Sequence, residues 1–257
     1  MKKLSTLILI FLTIISCKDD DNTVGTDTDT IGTVNFEFKN NVGNDLIDLN
    51  TGSYTNQSNE TYTISELKYI VSNIVLIKDN GDEFTYPVAD SYFLINEEVA
   101  ESKKVNLVDI PSGTFTKIKF GIGVDQSKYP LNGVNNFIPT AEESEMLWSW
   151  SAGYKFIKFE GAFTPSGGTM ADFILHIGSH GTTLDNYKEV LLDLPGELTI
   201  GDGTTSNVAI TADVAKIFDS TNTHSLEVKS DIQVDPENAP KLAENVSTMF
   251  SVATVSN

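Results

Sequence analysis

The chain has 257 residues and carries 17 Lys+Arg against 36 Asp+Glu, a formal net charge of −19. So acidic a surface excludes electrostatic binding to nucleic acid and to anionic lipid headgroups, since both carry the same sign. A single cysteine excludes an internal disulfide framework, so stability has to come from packing.

The chain begins MKKLSTLILIFLTIISC. Lys2 and Lys3 form a positive start, and Leu4 to Ile15 form an apolar run too short to span a bilayer comfortably, which reads as a secretory signal peptide over residues 1–16. Ser16-Cys17 resembles a lipobox, which implies cleavage before Cys17 and acylation of that residue, palmitate included. Lys18-Asp19-Asp20-Asp21 resembles the surface-export signal of Bacteroidetes lipoproteins. That resemblance implies a lipid anchor in the outer membrane with the protein facing the exterior, or, as the fallback, the periplasm. Residues 17–32 then form a lipidated cysteine and a flexible acidic linker, because Asn22 to Gly32 is rich in Thr, Asp and Gly with almost no apolar content. Residues 33–257 are long enough to bury a sizeable core as one domain.

Strand signals follow in order. Thr33 to Lys39 alternates apolar and polar residues. Asn40 to Asn59 is loop-rich, with Leu46 to Leu49 as a candidate short strand. Thr61 to Asp79 is a long β-rich run, and Asn80-Gly81 is a hairpin turn returning through Glu83 to Tyr86. Further strands are expected over Ser91 to Asn96, Lys104 to Leu107 and Thr114 to Val124, before a long loop from Asp125 to Glu145. Tyr154 to Phe163, Ala171 to Ile177, Tyr187 to Leu194, Glu197 to Ile200 and Asn207 to Ala212 continue the pattern. Asp213 is a plausible N-cap for a short helix to Asp219, and Leu242, Val246 and Phe250 recur at helical spacing. The pattern predicts an all-β fold, an antiparallel β-sandwich or barrel-like domain with one or two short helices.

The rarest side chains gather in two segments. MLWSWSAGYKFIKFEG (146–161) holds both tryptophans, Trp148 and Trp150, which share a face if the stretch runs as one strand. FILHIGSHG (173–181) holds two of the three histidines, and alternation puts His176 and His180 on the face opposite Phe173, Leu175 and Ile177. Paired indoles are ordinarily core packing, and exposed they would stack on sugars. Imidazoles at a strand end are candidate metal ligands, although a metal needs further partners. No G-x-S-x-G, usable cysteine or dinucleotide loop is present, so no enzyme is expected.

Taken together, ISELKYIVSNIVL (64–76), FGIGVD (120–125), the two segments above and LAENVSTMF (242–250) resemble the MbnP-like family of secreted copper-binding proteins, more distantly related to MopE and CorA. The resemblance implies a β-sandwich-like domain that binds copper and acts with a di-haem partner of the MbnH type. Such a partner can oxidise a tryptophan to kynurenine, whose aniline nitrogen then joins histidines around copper. Carried onto this chain, His176 matches the family histidine, Trp148 and Trp150 are the candidates for oxidation, and His180 or His224 could add a ligand. No histidine adjoins either tryptophan, and the tail Ser251–Asn257 has none. The alternative expectation is a metal-free surface lipoprotein that binds a glycan or protein through the Trp148/Trp150 face.

Overall fold

The computed structural model describes residues 30–125, 137–148, 153–180 and 184–257. The expected signal peptide, Cys17, most of the expected linker and Trp150 lie outside the described residues. In chain order the strands are β1 (Ile31–Val42), β2 (Asp45–Leu46), β3 (Tyr54–Thr55), β4 (Thr61–Ile77), β5 (Glu83–Thr85), β6 (Tyr92–Asn96), β7 (Lys104–Pro111) and β8 (Gly113–Ile122). Helix α1 (Ile138–Glu143) falls inside the expected long loop. It is followed by β9 (Lys155–Thr164), β10 (Ala171–Gly178), β11 (Lys188–Ile200), β12 (Thr205–Asp213), β13 (Asp231–Ile232), α2 (Ala239–Ser247) and β14 (Phe250–Ser256).

The strands form two sheets. The smaller runs β14-β12-β1-β2 with β7 also on β1, and the larger runs β11-β8-β4-β9-β10-β13 with β3, β5 and β6 on β4. Edge-to-face rings join them: Phe38 on β1 lies 6.3 Å from Tyr69 on β4 and 6.2 Å from Phe120 on β8, and Phe250 on β14 lies 5.7 and 5.2 Å from the same two rings. The architecture is therefore all-β and sandwich-like. Its sheets are mixed, however: β1 pairs with β12 in parallel over Thr33↔Thr205 to Asn41↔Asp213, and β10 pairs with β13 in parallel. Alternation reports which face a side chain takes, not which way a distant partner strand runs.

β4 is the longest strand. Its first half pairs with β9 and its second half with β8. Burial alternates at its start and becomes continuous from Tyr69 to Ile77, so that half is covered on both faces. At the far end of the core Phe218 packs 5.0 Å from Tyr62, 5.4 Å from Phe159 and 5.9 Å from Phe173. The short helix expected after Asp213 is a 3-10 turn over Val214–Ile217, and the Asp213 side chain accepts from the Ala215 amide as its cap.

Two glycines of the paired segments have a packing reason. A Cβ on Gly161 would meet the Thr63 carbonyl oxygen at 1.9 Å, and one on Gly178 would meet the Tyr154 carbonyl oxygen at 2.2 Å. β4, β9 and β10 thus approach too closely for any side chain there. Gly161→Ala is expected to destabilise the fold by about 2 kcal/mol, a value typical of overpacking, as a lower urea midpoint at unchanged slope.

Candidate metal centre

Strand register assembles the site. His176 on β10 lies opposite Lys158 on β9, and Lys158 lies opposite Lys68 on β4. Glu160 and Glu66, two residues further along on the same face, are also opposite each other. Leu175, Ile177 and Phe159 take the core parity and are buried among the two sheets. The result is a charged band across three strands on the outer face of the larger sheet, with Glu66 and Lys68 on β4, Lys158 and Glu160 on β9, and His176 on β10.

The segment after α1 covers this band. Leu147 bridges Tyr154, the Trp148 amide donates to the Gly153 carbonyl, and the Lys155 amide donates to the Met146 carbonyl. Residues 146–148 therefore pair with 153–155 instead of running as one strand into β9, and the face that Trp150 takes lies outside the described residues. Trp148 is 3% exposed, and its Nε1–H donates to the Ser179 carbonyl at 3.0 Å. Its ring centroid lies 6.0 Å from that of His176, and the Lys155 ammonium sits 5.4 Å above it. An indole so enclosed cannot serve as a sugar-stacking platform, which removes Trp148 from the glycan-binding expectation.

Beneath it, the Lys158 side chain is 4% exposed, with its Nζ 3.0 Å from Glu66, 3.3 Å from Glu145 and 3.7 Å from Glu160. Burial works against its charge, yet the surrounding carboxylates outweigh burial and raise its pKa. Glu145 reaches in from a left-handed backbone conformation (φ 60°). Lys155 goes the other way: burial and the charge of Lys158 lower its pKa.

His176 is 7% exposed, and its Nε2 lies 2.6 Å from the Glu160 carboxylate. Its Nδ1 is buried without a hydrogen-bond partner among the described residues. Burial first, then the charges of Lys155 and Lys158, lower its pKa despite Glu160, so the ring is neutral near pH 7.

His180 lies beyond the end of β10, in a backbone bridge with Leu184, and is partly exposed. His224 is a core residue: its Nε2–H donates to the Lys229 carbonyl at 2.8 Å, and its ring stacks on Phe218 at 6.4 Å and 11°. That accounts for its burial without a metal. Burial lowers the His224 pKa as well. A histidine held neutral in the fold takes up its proton near pH 6.5 once unfolded, so stability falls as pH drops below 6.5 toward the folded value. The slope is at most about 1.4 kcal/mol per pH unit for each such histidine. Chemical denaturation between pH 7.5 and 5.5 is expected to show this loss, with a shallower slope in His224→Gln.

As a metal ligand set, the described residues supply one position. His176 fits it, because the buried, unpartnered Nδ1 belongs to a neutral ring whose other nitrogen is held by a carboxylate, the arrangement that orients ligating histidines. Among the described residues no three His, Cys, Asp or Glu side chains gather to close a site. Trp148 unmodified has no lone pair to give. Glu160, Lys158, Glu66 and Lys155 were not singled out from sequence. The alternation of Lys158 and Glu160 was visible, but their register against His176 was not.

Comparison with known proteins agrees with the fold. The chain matches no curated protein. Its fold is similar to a solved structure titled MbnP from Methylosinus trichosporium, with TM-score 0.55, 14% identity and coverage of 86% of this chain and 97% of that one. The MbnP family model matches residues 31–238, well over half of the chain. The chain belongs to the MbnP family.

Proposed function

We propose that this chain is a non-catalytic, lipid-anchored outer-membrane protein that holds copper at His176, beside Trp148, and acts with a di-haem oxidase of the MbnH type. The observation that carries the reading is the buried Nδ1 of the neutral His176 ring, without a partner among the described residues, 6.0 Å ring to ring from an enclosed tryptophan. An imidazole nitrogen left unsatisfied in the interior costs stability unless something fills it. Copper accepts imidazole readily. Oxidation of Trp148 to kynurenine would add an aniline nitrogen next to His176, which unmodified indole cannot offer, and would raise the donor count.

The test is copper uptake. Protein purified from its native host is expected to retain copper through gel filtration, and His176→Ala produced in the same host is expected to lose it. Equal copper content in both, or none in either, would overturn the assignment.

A further inference from the structure

We propose that Glu160 is the positioning residue of this site: it fixes the His176 imidazole as the Nε2–H tautomer and leaves Nδ1 as the one lone pair the ring can present. The proposal deepens the copper reading, and rests on it only for the identity of the ligand that Nδ1 would meet.

The argument starts from the 2.6 Å contact between Glu160 Oε1 and His176 Nε2. An ionised carboxylate only accepts, so the ring nitrogen facing it carries the proton. A neutral ring has one N–H, and the remaining nitrogen is then a bare acceptor. That nitrogen is Nδ1, the buried atom that no group among the described residues satisfies. Glu160 is itself held: Lys158 Nζ lies 3.7 Å from the same oxygen, and Lys158 is held in turn by Glu66 at 3.0 Å. The chain Glu66–Lys158–Glu160–His176 steps from β4 to β9 to β10: Glu66 opposes Glu160 and Lys158 opposes His176, so each cross-strand contact is diagonal, and Lys158 and Glu160 share one face of β9. Side chains fixed on paired strands hold an orientation better than side chains on loops.

An ion-pair ladder of purely structural role would stabilise the sheet but would not dictate where the imidazole proton sits. The tautomer therefore separates the two roles, and it can be read without metal. Long-range proton–nitrogen correlation spectra of metal-free, nitrogen-15-labelled protein at neutral pH are expected to show His176 as the Nε2–H form. Glu160→Ala is expected to shift it to a mixture or to the Nδ1–H form. Glu160→Gln, which preserves shape and can still accept through its carbonyl, is expected to retain a majority of Nε2–H and serves if the alanine variant does not fold. Cuprous affinity by chelator competition is expected to fall about 10- to 100-fold in Glu160→Ala, the range seen for loss of such carboxylate partners. An Nδ1–H ring in the wild type, or a tautomer and affinity unchanged in Glu160→Ala, overturns the proposal. Wild-type protein that binds no copper, with a tautomer that still responds to Glu160, refutes the copper reading and supports the positioning role.

Discussion

Lys158→Met is expected to lower the unfolding free energy by about 3 kcal/mol, the range in which removing one partner of a buried ion pair falls. Methionine matches the lysine stem in length and keeps most of its packing, so the loss is electrostatic. Lys158 is the one ammonium shared by Glu66, Glu145 and Glu160, and its side chain is 4% exposed. Without it, Glu66 and Glu160 remain with like charges facing across the β4–β9 pair. In the intact protein burial raises the Glu66 pKa, but Lys68 and Lys158 reverse this and bring it below 4.5. Removing Lys158 relaxes that depression, so Glu66 protonates more readily in the variant. The deficit relative to wild type is therefore expected to shrink as pH falls toward 4.5. Urea denaturation of both proteins at pH 7 and pH 5 checks this, and a deficit under 1 kcal/mol or a pH-independent one would contradict it.

The second large effect lies away from the site. Glu60 is 3% exposed, and its carboxylate accepts from Asn56 Nδ2 at 2.6 Å, Ser225 Oγ at 2.6 Å and the amides of Leu226 and Glu227 at 2.9 and 2.8 Å. One side chain thus ties the loop before β4 to the segment carrying His224. Glu60→Ala leaves two backbone amides without acceptors and is expected to cost about 3 kcal/mol, and Glu60→Gln about half that. Burial alone would raise the Glu60 pKa, and the four donors together bring it below 4.5. A depressed carboxylate contributes stability above its unfolded pKa and loses it as pH falls through the folded value. The acid limb of the wild-type stability curve is therefore expected to be steeper below pH 4.5 than that of Glu60→Gln.

Much of the fold was legible from alternation. β1, β8, β9, β10 and β12 lie where period-two patterning puts them, because each has one face on the core, and β4 lies where its run of β-branched and aromatic residues puts it. Local patterning splits β11 into two strands, Tyr187 to Leu194 and Glu197 to Ile200, because Pro195-Gly196 looks like a break. The register shifts between Asp193 and Leu198, and the strand continues past it. β14 went unrecognised because SVATVSN is short and mostly exposed, and it exists through pairing with β12, a long-range event with no local signature. The site divides in the same way. His176 and Trp148 stood out because they are rare and matched a resemblance. Lys158 and Glu160 read from sequence as the polar face of an alternating strand; cross-strand register sets them beside His176, with the Lys158 side chain 4% and that of Glu160 27% exposed. Trp148 looked able to be exposed until the Ser179 carbonyl and the His176 ring enclosed it.

The central claim is that Trp148 and His176 form a copper centre completed by oxidation of the indole. Intact-mass measurement with peptide mapping of protein from its native host, alongside its copper content, tests it most directly. The account predicts copper in the isolated protein and a Trp148 peptide heavier by the difference between one oxygen gained and one carbon lost. An unmodified Trp148 peptide from protein that carries no copper would contradict it.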